Sequence, residues 1–166
     1  MGRILKLIIS FIVCPNGNGH LFRTLEIIDF LNKKIKNIRI AIFCSTPHKK
    51  KIKKYLNLKN IKIFSVIPNY DLRKSPYQKL IGLYNLKFEN HILKDSNFIF
   101  SDNLVNKYFP KKKTILHTNF FWSDIFDLKS KRKIYENLEK NFINKNIKYI
   151  IANRYFFINK KKINSQ

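Results

Sequence analysis

Residues 10–23 read SFIVCPNGNGHLFR. An apolar run ends at Cys14 and Pro15, glycines follow at Gly17 and Gly19, then His20, then an apolar segment carrying Arg23. Upstream, residues 4–14 are rich in Ile, Val and Phe, the composition of a strand buried on both faces. Downstream, Leu21, Leu25, Ile28 and Leu31 recur at helical spacing through residues 20–34. The stretch therefore reads as a strand handed to a helix through a glycine turn. In an open parallel sheet, ligands bind beyond the carboxyl ends of the strands, at the point where strand order switches. Glycine there admits positive φ and a close ligand approach. The helix start adds free N–H groups and a positive dipole end, suited to an anion or a developing oxyanion.

The same alternation continues along the chain. Residues 37–45 (NIRIAIFCS), 60–67 (NIKIFSVI), 97–101 (NFIFS), 113–119 (KTILHTN) and 147–152 (IKYIIA) read as five more strands. Residues 47–58, 75–93, 104–109 and 129–144 read as the intervening helices. Near-continuous apolar strands alternating with helices predict an α/β, Rossmann-like three-layer domain with a mostly parallel sheet. One such domain is expected over residues 1–155, followed by a polar tail at 156–166.

The chain has 166 residues, enough for one domain with a core, and 45% are hydrophobic, which argues for a globule. The formal net charge is +24. Such a charge suits an anionic partner such as nucleic acid, membrane or a phosphorylated ligand. Codon bias accounts for much of it, because Lys (28), Ile (26) and Asn (20) dominate while Arg, the better phosphate fork, numbers 6. The lysines are scattered and no nucleic-acid motif appears, so nucleic acid is not the expected partner; a peripheral attraction to anionic membrane remains. Cys14 and Cys44 read as reduced, buried thiols, and no metal-ligand spacing is visible. The apolar run at 4–14 contains Lys6, is too short to span a bilayer and lacks a cleavage pattern, which predicts a cytoplasmic chain.

The glycine turn is not a phosphate-binding P-loop, since no Gly-Lys-Ser/Thr follows. It also departs from the dinucleotide fingerprint, because Phe22 stands where the third glycine belongs. Instead the helix opens with His20, a general base near neutral pH if presented to the cleft, or a helix cap if not. Asp102 follows the fourth strand; strand order 3-2-1-4-5 makes strands one and four neighbours, so Asp102 either orients His20 or caps a helix over 104–109. Asn119, Phe120, Phe121 and Trp122 follow the fifth strand on the same edge, where they line an acceptor pocket or close the core. His117, inside a strand, reads as structural. His48, beside a lysine run at 49–54, reads as exposed, and that run reads as a solvated face.

The segment GNGHLFRTLEIIDFL resembles the Gly-x-Gly-His-x-x-Arg opening of the N-terminal, acceptor-side domain of GT-B glycosyltransferases, nearest to those related to family 28. FIFSDN followed by TILHTNFFW is similar to the later part of such domains, and the likeness spans roughly residues 5–125. The resemblance implies transfer of a sugar from a nucleotide-sugar donor, expected to be a UDP-sugar, to an envelope or surface glycan acceptor. It implies His20 as base, Asp102 as its orienting acid, and Gly17 and Gly19 as the loop that leaves space for acceptor and donor phosphates; Asn18, Arg23, Asn103, Asn119 and Trp122 are expected to bind substrate beside them. It implies no metal and no cofactor beyond the donor; the basic surface would suit lipid phosphate acceptors at the inner face of the plasma membrane. A GT-B enzyme has a second, donor-binding domain. The chain thus reads as half of a split transferase with a separate partner chain, a piece of a longer one, or a decayed gene. A nucleotide-sugar hydrolase with the same loop and a non-catalytic basic binding module are the alternatives.

Overall fold

A computed structural model describes residues 7–55, 59–68, 73–88, 91–118 and 120–152. Six strands, β1 (Leu7–Val13), β2 (Ile38–Cys44), β3 (Ile61–Ser65), β4 (Phe98–Asp102), β5 (Thr114–Thr118) and β6 (Ile147–Ala152), form one sheet. Their order is β3-β2-β1-β4-β5-β6, and every neighbouring pair is parallel. The helices are α1 (Asn18–Lys34), α2 (Thr46–Tyr55), α3 (Pro76–Tyr84), α4 (His91–Asp95) and α5 (Lys129–Asn146), with a 3₁₀ turn at Trp122–Ile125. The chain is thus an α/β domain of the Rossmann-like three-layer kind.

Alternation along each strand divides the core in two. Phe11, Val13, Ile40, Ile42 and Phe100 pack under Leu21, Leu25 and Ile28 of α1 and Ile52 of α2. Ile12, Ala41, Phe43, Ile99 and Leu116 face the other way, onto Leu80 and Leu83 of α3, Leu93 of α4 and Tyr135, Phe142 and Ile143 of α5. Strands buried on both faces need this two-sided apolar sequence. The coverage is unequal at one edge: Tyr149 and Ile151 on β6 are 57% and 46% exposed. Among the described residues no helix is long and apolar enough to cross a membrane.

Two predicted helices differ from the structure. The single helix expected over 75–93 is two, α3 and α4. A capping box of Ser75 and Gln78 opens α3; Asn85 closes it, donating from Nδ2 to the Ile81 carbonyl at 2.9 Å. Asn106 then donates to the carbonyls of Leu83 and Leu86, both at 2.7 Å, so these acceptors are satisfied from outside the helix. The helix expected over 104–109 is absent. Ser101 Oγ donates to the Leu104 carbonyl and Lys107 N to the Tyr84 carbonyl, and the buried Leu104, Val105 and Phe109 join the core as an irregular segment. A local side-chain-to-backbone bond and one contact distant in sequence override a short helical pattern here. The C-terminal tail expected at 156–166 lies outside the described residues.

Candidate functional site

β1 delivers the chain to a turn that only glycine makes comfortably. Gly17 has φ +104° and ψ 169°, a region closed to side chains, and it is the N-cap of α1 with no side chain capping the first turn. Upstream, Cys14 is fully buried and desolvation pushes its thiol up to about 12, so it stays protonated. A Cβ built on Gly19 would meet nothing within 4 Å; the space beside it is open.

β4 lies beside β1, with Val13 opposite Asp102, and this adjacency brings the first helix onto the end of the fourth strand. His20 Nδ1 is 3.0 Å from Asp102 Oδ2, and Arg23 Nη2 donates to Asp102 Oδ1. The predicted approach of His20 to Asp102 is therefore a contact. Asp102 cannot be a helix cap, since no helix follows it. Arg23 Nη2 also lies 3.2 Å from His20 Nδ1. One nitrogen cannot donate to Asp102 and accept from Arg23. A lone pair aimed at a carboxylate oxygen is repulsive, so the network assigns the proton to Nδ1 and the lone pair to Nε2. That tautomer is the one able to take a proton from a bound group.

Asp102 holds the cluster together. Its side chain is 1% exposed. Burial by itself would raise its pKa, but the His117 and His20 imidazoles and the Arg23 guanidinium outweigh burial and hold the carboxyl down at about 2. His117 Nδ1 stands 3.6 Å from Asp102 Oδ1, just beyond hydrogen-bond length. It has no hydrogen-bond partner among the described residues, and neither does Arg23 Nε or Asn103 Nδ2. No family model matches the chain, and no curated protein matches it.

His117 is the residue that sequence reasoning undervalued. It occupies the β5 position opposite Asp102, so the strand order that pairs β1 with β4 also brings β5 to the same carboxylate. His48 corrects a prediction: it is buried, 4% exposed, four residues before the buried Ile52 on the inner stripe of α2. Desolvation first, then the neighbouring Lys51 ammonium, lowers its pKa below the ordinary imidazole value. The spacing of His48 and Ile52 was the available signal.

The other predicted residues divide. Asn18 accepts from Lys51 Nζ at 2.6 Å, tying the first turn of α1 to α2. Asn103 is buried in a left-handed conformation, φ 56°; its N–H donates to the His117 carbonyl at 2.8 Å, and its own carbonyl accepts from Trp122 Nε1 at 2.7 Å. Asn103 and Trp122 thus brace the ends of β4 and β5 as well as standing beside the cluster. Trp122 also lines a hollow of about 520 Å³ with Pro15, Asn16, Gly17, Pro76, Lys79 and Ile125. The hollow shares the glycine turn with His20 and excludes the His20 side chain. A second hollow, about 410 Å³, lies at the amino edge of the sheet near Arg39 and His91, far from the cluster. Asn119 lies outside the described residues. Among those residues no group of three or more His, Cys, Asp or Glu is placed to hold a metal ion.

Proposed function

We propose that the chain is the acceptor-side domain of a nucleotide-sugar-dependent glycosyltransferase, with His20 the base that takes the proton from an acceptor hydroxyl. The observation that carries this reading is the His20–Asp102 contact at 3.0 Å beside an open glycine turn. The assigned tautomer leaves Nε2 basic. As it accepts a proton, the imidazolium that forms is stabilised by the carboxylate on Nδ1. Arg23 and His117 keep that carboxylate ionised. The uncapped start of α1 offers N–H groups to donor or acceptor phosphates, and the hollow beside Trp122 has the size of a sugar-binding cleft.

A donor-binding domain, in the same or a separate chain, completes the reading. The bare β6 face supports a partner without identifying it. The test incubates wild-type and His20→Ala protein with labelled UDP-sugars and with membrane and soluble fractions of the source cells, which supply acceptor and partner. Label entering glycan or lipid with the wild type, and lost with His20→Ala, is the expected result. Nucleotide release without any acceptor identifies a hydrolase instead. Equal signal from the two proteins removes His20 from the chemistry and the reading with it.

A further inference from the structure

Phe22 on α1 and Tyr55 on α2 stand in solvent, 42% and 63% exposed, and meet edge to face at 5.7 Å. Phe30, Tyr108 and Tyr149 are exposed as well, but Phe22 and Tyr55 come from two helices and meet as a pair on the outer surface. The charge around them has one dominant sign. α2 carries Lys49, Lys50, Lys51, Lys53 and Lys54 and no acid in its ten residues. Its inner stripe is His48 and Ile52, so Lys50 and Lys54, four apart, turn outward beside Lys51 and Tyr55. On α1 the acids on this side are Glu26 and Asp29, and Asp29 is held by Lys33 at 2.6 Å.

Exposed aromatics among lysines are the composition of an interfacial element. The rings enter the headgroup boundary, the lysine stems lie along it, and the ammonium groups meet lipid phosphates. We propose that the α1–α2 face around Phe22, Tyr55, Lys50 and Lys54 docks on an anionic lipid bilayer. This docking requires no turnover and stands whether or not the chain transfers sugar. Phe22 lies one helical turn, about 6 Å along the axis, from the glycine turn. Docking therefore brings the uncapped start of α1 to headgroup level, where a lipid-linked phosphate would be presented. Nucleic acid is the other polyanion a lysine face meets. This face is helical, α2 carries no arginine, and Arg23 of α1 is engaged with Asp102. It offers no free guanidinium fork of the kind that single strands favour.

The experiment is sedimentation with vesicles of phosphatidylcholine containing about one-third phosphatidylglycerol, against phosphatidylcholine alone, at physiological ionic strength. Wild type is expected to bind the first and not the second. Phe22→Ser with Tyr55→Ser should weaken binding about tenfold. Lys50→Glu with Lys54→Glu should weaken it about 25-fold, taking about fivefold per lysine. The matched control is Lys129→Glu with Lys133→Glu on α5, across the sheet, which should change it less than about twofold. Absence of binding to the anionic vesicles overturns the proposal. So does an equal loss from the α5 pair, which would mean diffuse charge, or no loss from the aromatic pair. Binding of polyuridylate that falls with the aromatic pair while vesicle binding persists assigns the face to nucleic acid instead. Where a double variant fails to fold, Phe22→Trp reports alone: its emission should be quenched by brominated lipid, above any quenching of Trp122 in the wild type, and unquenched emission counts against docking.

Discussion

Asp102 is the residue on which the cluster turns, and its charge has a measurable pH signature. Its folded pKa of about 2 lies below the ordinary 3.8, so the stabilisation it contributes is present above pH about 4 and lost as pH falls towards 2. A depression of this size corresponds to about 2 kcal/mol. Asp102→Asn should unfold at correspondingly lower urea at pH 7, and the gap from wild type should close between pH about 4 and about 2. A gap that stays constant with pH would mean that the charge does not matter. The two glycines separate conformation from space. Gly17→Ala forces a side chain into φ +104° and should cost about 1–3 kcal/mol of stability. Gly19→Ala enters open space, so its thermal midpoint should stay near wild type, and any loss of function it shows belongs to a ligand. Cys14, its thiol held up at about 12, should resist thiol reagents at neutral pH until the protein unfolds.

The elements show how local signals compete with distant ones. α3 forms because its ends are well marked: Ser75 and Gln78 cap reciprocally, Pro76 starts the first turn and Asn85 stops the last. Ser75→Ala should cost about 1 kcal/mol, read as a lowered denaturation midpoint. α1 has no side-chain cap at its start, and its stability comes from Leu21, Leu25 and Ile28 against the sheet. The helix-like run over 104–109 fails for a complementary reason. Its carbonyl at Leu104 and its N–H at Lys107 already have partners in Ser101 and Tyr84, which lowers what a helix would gain. Asn106→Ala strips a buried donor from two carbonyls, Leu83 and Leu86, and should cost about 2 kcal/mol or more at equilibrium.

In the whole molecule, the sheet's coverage decides where substitutions matter. Phe142 is fully buried between α5 and the sheet, and Phe142→Ala should cost about 3–5 kcal/mol. Tyr149 and Ile151 sit on the open side of β6, and Tyr149→Ser with Ile151→Ser should stay within about 1 kcal/mol of wild type when the chain is alone. A larger loss would show that the face is already covered in solution. The same open edge adjoins the cluster, because Ile151 pairs with His117 on β5. Whatever covers β6 therefore also stands beside the carboxylate that orients His20.

Much of the molecule was legible in the chain itself. Strand identity came from apolar runs whose residues must be buried on both sides, and all six strands fall within a few residues of their predicted places. The glycine turn and His20 were legible because φ +104° admits little else and because a strand-to-helix handover has a known polarity. Asp102 was legible through strand order, as a neighbour that either orients His20 or caps a helix. The rest depended on distances that no local pattern encodes. His48 is the exception, since its spacing to Ile52 already set it on the inner stripe of α2. His117 meets Asp102 because β5 lies in register with β4. The Asn106 side chain, reaching across to α3, helps decide where that helix stops. Burial patterns and turn chemistry are properties of neighbouring residues and can be read in order; the partners of a buried carboxylate are chosen by how the strands align, and that alignment exists only in the folded sheet.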